Sequence, residues 1–270
     1  MVAETSLESG CKLEARRLSK HYLTRDGGAF VAVSDVSLEV VRNEVLVILG
    51  PSGCGKSTLL RMMAGLDEPS EGRVFLDGAE VEGPSRKLGM VFQTYTSFPW
   101  LTVQRNVEYG MRLNGVPAAE RRTRAEAYIT RVHLSRFAQS YPKELSGGMK
   151  QRVAIARMLA NDPEVSLMDE PFGALDAETR WHMQELLLEI IQESHMTVVL
   201  VTHDIAEALF LADRIVFMAR NPGRIREIIP MDFKGGRQIR DKEDLIALPG
   251  YGEMERHILR MMREETQEEM

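Results

Sequence analysis

The segment Gly50-Pro51-Ser52-Gly53-Cys54-Gly55-Lys56-Ser57-Thr58 combines glycines, a lysine and hydroxyl groups in an order suited to holding phosphate. Gly50 to Ser57 fits the pattern glycine, four residues, glycine, lysine, then serine or threonine. Glycines let successive backbone N–H groups turn inward around phosphate oxygens, and a following helix directs its positive end at them. Lys56 then reaches the β and γ phosphates, and Ser57 is placed to ligate Mg²⁺. A second candidate set lies in Val165-Ser166-Leu167-Met168-Asp169-Glu170-Pro171. An apolar strand ending in Asp169 puts a carboxylate beside the Mg²⁺ shell. The adjacent Glu170 can orient or deprotonate a water attacking in line with the γ phosphate. Two neighbouring carboxylates with no basic partner are costly without a cation, which supports the same reading.

A third segment, Leu145-Ser146-Gly147-Gly148-Met149-Lys150-Gln151-Arg152, offers another phosphate-binding helix start, a serine hydroxyl followed by two glycines. It lies too far along the chain to belong to the first cradle. Phosphate loops also serve kinases, GTPases and helicases, so this second cradle is the discriminating feature.

These residues need strands and helices to position them. Lys12 to Tyr22 and Phe30 to Val41 read as alternating strands about the turn signal Asp26-Gly27-Gly28, an antiparallel sheet. Glu44 to Leu49 is a continuous apolar, β-branched run of the kind buried on both faces, and it feeds the glycine loop and a helix over Leu59 to Ala64. Short strands follow at Arg73 to Leu76 and Leu88 to Phe92. Val103 to Leu159 has helical spacing broken by Pro117, Pro142 and Gly147-Gly148. Strands at Val165 to Met168, Thr197 to Thr202 and Arg214 to Phe217 alternate with helices over Asp176 to Glu193 and Asp204 to Ala212, as in a parallel α/β sheet. Lys234-Gly235-Gly236-Arg237 reads as a hinge. A final helix over Glu253 to Glu269 carries Met254, Ile258, Met261 and Met262 on one face, either docked on the chain itself or offered to a partner.

With its Leu-Ser-Gly-Gly segment, the chain resembles the ATP-binding cassette family over roughly Lys12 to Pro230. The resemblance implies an α/β fold, a phosphate-loop NTPase (RecA-like) core with an N-terminal antiparallel β subdomain and an inserted helical subdomain. It implies a tail over 1–11, an ATPase domain over 12–232 with the helical insertion at about 95–160, and a C-terminal extension over 233–270. It implies ATP and Mg²⁺ as cofactors, and a homodimer in which two subunits sandwich ATP between one phosphate loop and the partner's Ser146-Gly147-Gly148. Residue by residue, Gln93 resembles the glutamine that contacts Mg²⁺ and the attacking water, and His203 the switch histidine that contacts the γ phosphate. Asp176 resembles the loop aspartate that touches the opposite subunit, and it equally suits a helix N-cap. Tyr22 occupies the place of the ring stacked on adenine, with Phe30 as competitor; such stacking is worth roughly 1–3 kcal/mol. Met149 departs from the glutamine common in the family and leaves Ser146 and both glycines intact.

Composition limits the role. The net charge of −6, from 34 basic and 40 acidic residues, argues against a nucleic-acid partner or a polybasic membrane anchor. The longest apolar candidate, Val198 to Ala219, is interrupted by His203, Asp204, Glu207, Asp213 and Arg214. Cys11 and Cys54, the two cysteines, are expected as free thiols in a reducing cytosol, Cys54 reactive from its place beside a helix N-terminus. The aromatic run Thr94-Tyr95-Thr96-Ser97-Phe98-Pro99-Trp100-Leu101-Thr102-Val103 fits either local packing or a groove receiving a short helix of a membrane subunit. Its Phe-Pro-Trp-Leu-Thr-Val portion, Met149 and Asn221-Pro222-Gly223-Arg224-Ile225 look like bacterial importers of nitrate, taurine, alkanesulfonate and bicarbonate. The implied role is the importer's ATPase, peripheral on the cytoplasmic face of the inner membrane. Its partners would be transmembrane permease subunits and, indirectly, a periplasmic or surface solute-binding protein. A non-transport cassette ATPase and a phosphate-loop kinase are the competing classes.

Overall fold

The computed structural model describes residues 10–24, 27–235, 239 and 241–267. Most of the expected N-terminal tail, Asp26 of the first turn, Gly236 and Arg237 of the expected hinge, and residues 268–270 of the final segment lie outside the described residues.

In chain order the elements are β1 (Cys11–Leu23), β2 (Ala29–Val41), β3 (Val45–Leu49), α1 (Lys56–Met63), β4 (Glu71–Leu76), β5 (Ala79–Glu80), β6 (Leu88–Val91), α2 (Val103–Leu113), α3 (Ala118–Arg131) and α4 (Gly147–Ala160). They continue with β7 (Val165–Asp169), α5 (Ala177–Ser194), β8 (Thr197–Thr202), α6 (Ile205–Leu211), β9 (Arg214–Ala219), β10 (Arg224–Pro230), α7 (Lys242–Ile246) and α8 (Tyr251–Gln267). They fall into two compact units, one formed by Met1–Ser85 with His195–Met270, the other by Arg86–Ser194.

In the first unit an antiparallel sheet runs in the order β2-β1-β4-β5. Along β2, Val36, Leu38 and Val40 alternate onto one buried face, and beyond a register shift both Ala32 and Val33 are buried. The aliphatic run of β3 is buried at every position because it has parallel neighbours on both edges, β8 and β9. Antiparallel β10 covers the far edge of β9. The helix after the glycine loop starts at Lys56, three residues before the expected Leu59, and buries Leu59, Leu60, Met62 and Met63. Each fully buried side chain of this size contributes about 1.5–3 kcal/mol. The apolar stripe of α8 lies on its own chain, with Tyr251, Ile258 and Met261 buried, Met254 and Met262 half-buried, and α6 among its neighbours.

In the second unit β6 pairs in parallel with β7, Val91 opposite Met168. The stretch with helical spacing resolves into α2, α3 and α4, packed on one another. The aromatic run is organised by Asn106, fully buried in α2. Its Oδ1 accepts from Phe98 N at 2.8 Å, and its Nδ2 donates to the carbonyls of Phe98, Leu101 and Thr102 at 3.2, 3.0 and 3.1 Å. Phe98 stacks on Tyr109 at 4.3 Å between ring centroids, whereas Trp100 remains 69% exposed. Local packing thus accounts for Phe98, while Trp100 leans on Phe98 at 5.7 Å between ring centroids and keeps most of its surface exposed.

Candidate functional site

The glycine loop leaves β3 and re-enters helix at Gly55, and its shape depends on glycine at three points. Gly53 and Gly55 have φ of 82° and 91°, a left-handed region that costs a side-chain-bearing residue energy. A Cβ on Gly55 would stand 2.6 Å from Ala32 O, and one on Gly50 would stand 2.5 Å from Met218 O. Ser52 and Gly53 are exposed, Pro51 is buried, and Ser57 and Thr58 are half-buried in the first turn of α1. Lys56 is 5% exposed, and its Nζ donates to the carbonyls of Gly50 and Pro51, each at 2.8 Å. The ammonium is therefore held over the loop it serves.

Cys54 corrects the expectation of a reactive thiolate. It is 1% exposed, and burial raises its pKa above the ordinary thiol value. The neighbouring positive charges of Lys56 and Arg220 oppose that rise without overcoming it. Proximity to a helix start was legible in the sequence; the depth of burial was not.

Two further expected residues lie in this unit. Thr202 at the end of β8 pairs with Leu49 at the end of β3, so His203 and Gly50 leave the same edge of the sheet on adjacent strands. His203 is exposed, and Asp204 behind it caps α6, its Oδ1 accepting from Glu207 N at 3.0 Å. Tyr22 and Phe30, the competing stacking residues, are direct cross-strand partners of β1 and β2, 41% and 51% exposed. Side chains directly opposite in an antiparallel pair share a face, so the two rings form one patch. Lys20 Nζ lies 5.4 Å from the centroid of Tyr22.

The second unit carries the other set. Asp169 ends β7 and is 6% exposed. Glu170 follows at φ 45°, an unusual conformation for a residue with a side chain, which turns the chain sharply at the strand end. Because β6 and β7 are parallel and in register, Gln93 beyond β6 meets Glu170 beyond β7. Gln93 Nε2 donates to Glu170 Oε2 at 2.9 Å. Ser146 caps α4, its Oγ accepting from Met149 N at 3.3 Å, which leaves its hydroxyl proton to donate elsewhere. A Cβ on Gly147 would come within 2.4 Å of Tyr95 Oη, and one on Gly148 within 3.1 Å of Leu175 Cδ2. Asp176 accepts from Thr179 N at 3.0 Å, and its hydrogen bonds to Thr179 hold its carboxyl below the usual carboxylate range. The helix-cap reading of Asp176 is thus satisfied by geometry.

The structure thereby brings Gln93 to Glu170 within one unit, and Gly50, Lys56 and His203 to one sheet edge within the other. Sequence reasoning missed Gly223, whose Cα backs the loop: a Cβ there would stand 2.3 Å from Cys54 O and 2.5 Å from Ala32 O. The signal was present in Asn221-Pro222-Gly223, read only as a subfamily mark.

A sequence model described as ABC transporter matches residues 33–173, the span from β2 through the glycine loop to just beyond Glu170. The chain belongs to the ABC transporter family. It is 45% identical over 259 residues to a taurine import ATP-binding protein of Pseudomonas entomophila, covering 95% of this chain and 98% of that one. It is 46% identical over 211 residues to a nitrate import ATP-binding protein of Synechocystis sp., covering 78% and 79%. Among solved structures, a dimeric ATP-binding cassette in a post-hydrolysis state with ADP and Pi matches with a TM-score of 0.74 at 35% identity, covering 81% of this chain and 98% of that one. The fold is therefore the α/β phosphate-loop NTPase fold of ABC cassettes, and this family member binds and hydrolyses ATP. No helix among the described residues is long and apolar enough to cross a membrane.

Proposed function

We propose that the chain is the ATPase subunit of an importer for a small oxyanion such as nitrate, a sulfonate or taurine. It works as a head-to-tail homodimer on the cytoplasmic face of the cell membrane. Permease subunits carry the solute, and a periplasmic or surface solute-binding protein delivers it. The observation that carries the hydrolytic role is the Gln93–Glu170 hydrogen bond of 2.9 Å at the ends of two parallel strands. It holds the Glu170 carboxylate at the strand end, the group that accepts a proton from the attacking water.

The remaining roles follow from side-chain chemistry. Lys56 exchanges its two loop carbonyls for β- and γ-phosphate oxygens, and the backbone N–H groups at the start of α1 receive the same phosphates. His203 reads the γ phosphate, and the Tyr22–Phe30 face stacks adenine. Ser146 donates its hydroxyl, beside Gly147 and Gly148, to the ATP of the partner subunit, and Asp176 meets that subunit. Mg²⁺ fits the donor set, since Ser57, Asp169 and Gln93 all supply hard oxygens. Gln93 commits its Nε2 to Glu170, which leaves its amide oxygen for a cation. Bound there, the ion would neutralise charge on the β and γ phosphates. Exposed Trp100, on the aromatic run, meets a permease helix.

Proteoliposomes carrying the chain with the permease subunits of a taurine, nitrate or alkanesulfonate importer test the transport role. ATP-dependent uptake of labelled taurine, nitrate or an alkanesulfonate is expected, and it should vanish with Lys56→Ala. ATP hydrolysis that no permease and no oxyanion stimulates would contradict it.

A further inference from the structure

The C-terminal extension includes a buried carboxylate that hydrolysis does not use. Glu265 on α8 is 4% exposed, and both of its oxygens are engaged. Oε1 accepts from Arg226 Nη1 at 2.9 Å, and Oε2 accepts from the backbone N of Arg220 at 3.0 Å. A charge buried this deeply is tolerated only with such partners. The neighbouring Glu264 also pairs with Arg226 through its Nη2.

Arg220 sits between the two places where this part of the chain touches the phosphate loop. On one side is Met218, whose carbonyl would lie 2.5 Å from a Cβ on Gly50. On the other is Gly223, which leaves no room for a Cβ beside Cys54 O, and whose carbonyl accepts from Ser34 N at 2.9 Å. Residues 218–223 thus form a backing for the loop, and Glu265 ties the middle of that backing to α8. The α8 helix is itself fixed by Ile258 and Met261, 0% and 3% exposed.

We propose that Glu265 is a positioning residue for nucleotide binding, holding the phosphate loop in its binding shape through Arg220 and Gly223. The proposal rests on the phosphate-site reading above and gives the C-terminal extension a role in it. Removing the carboxylate frees Arg220 N and leaves Arg226 without its buried partner, so the backing at Cys54 loosens while the loop's own residues stay unchanged.

The test is a calorimetric titration of MgATP into the full chain and into Glu265→Ala, Glu265→Gln and Ile258→Ala, with the melting temperature of each. Glu265→Ala should raise Kd about fivefold, the loss of part of a charged hydrogen-bond pair. Glu265→Gln, which keeps an oxygen for Arg220 N, should recover part of that affinity. Ile258→Ala, which opens a cavity about two turns along α8 from Glu265 and keeps the carboxylate, should lower the melting temperature while raising Kd less than Glu265→Ala does. Cys54 should label faster with a maleimide in both Glu265 variants than in Ile258→Ala, a readout of the loop that survives even if one variant folds poorly. Wild-type affinity in both Glu265 variants, or an equal rise of Kd in Ile258→Ala, would overturn the proposal. Absence of saturable binding by the wild type would instead overturn the phosphate-site reading beneath it.

Discussion

Replacing Gly147 with Asp separates the two cradles, because the same change is mild for the monomer and severe for the dimer. Within the monomer, the near atoms that a Cβ at Gly147 meets belong to the Tyr95 side chain, its Oη at 2.4 Å and its Cζ at 3.3 Å. That oxygen is the far end of a side chain 47% exposed, so it swings aside at little cost. Gly147 is the first residue of α4, where an acidic side chain gains about 0.3–1 kcal/mol from the helix dipole. The melting temperature should therefore move by no more than a few degrees. In the dimer the new carboxylate faces a triphosphate. At about 4 Å and an effective dielectric near 20, each facing pair of unit charges costs about 4 kcal/mol, roughly a thousandfold in affinity. Sedimentation in a Glu170→Gln background, with and without MgATP, reads the result. Glu170→Gln alone should shift from monomer towards dimer with MgATP, and the double variant should stay monomeric while still binding ATP. A Gly147→Asp protein that dimerises as readily would refute the role of Ser146 and Gly147 in closing the site.

Cys54, buried with a raised pKa, should react with a maleimide much more slowly in the folded protein than in denaturant, as mass spectrometry of the labelled peptide would show; comparable rates would mean the loop opens freely. Lys234, whose Nζ donates to the carbonyls of Phe210 and Ala212 at the end of α6, has its pKa lowered to about 8 by burial. A folded pKa below the unfolded value means the unfolded chain holds the extra proton between about pH 8 and 10.5, so stability rises with pH across that window. Denaturant unfolding should show wild type gaining on Lys234→Met by about 1.4 kcal/mol per pH unit there, and a constant difference would contradict the buried ammonium.

The local chemistry was legible because it is written in short segments. The phosphate loop, Asp169-Glu170 and Ser146-Gly147-Gly148 each carry their function in adjacent residues, and β3 announced itself as an unbroken aliphatic run. What stayed open depended on pairing between distant segments. Tyr22 and Phe30 looked like alternatives in the sequence, and only the register of β1 with β2 shows them to be neighbours on one face. The edge strand β10, Arg224 to Pro230, was assigned no structure from the sequence, since its charged residues give no strand signal until β9 supplies a partner. Cys54 was misjudged because Gly223, far from it along the chain, packs against it, and nothing near Cys54 in the sequence announces that contact. Glu265 gave no signal at all: a glutamate in an acidic helix reads as solvated until its partners at Arg220 and Arg226 are seen.

The hydrolytic role of Glu170 is tested most directly by measuring MgATP binding and steady-state turnover on the same Glu170→Gln preparation. The amide keeps the side chain's shape but cannot accept the proton of water, so binding should persist while turnover falls by at least about a hundredfold. Substantial ATPase activity in that variant, in a preparation freed of contaminating ATPases, would contradict it.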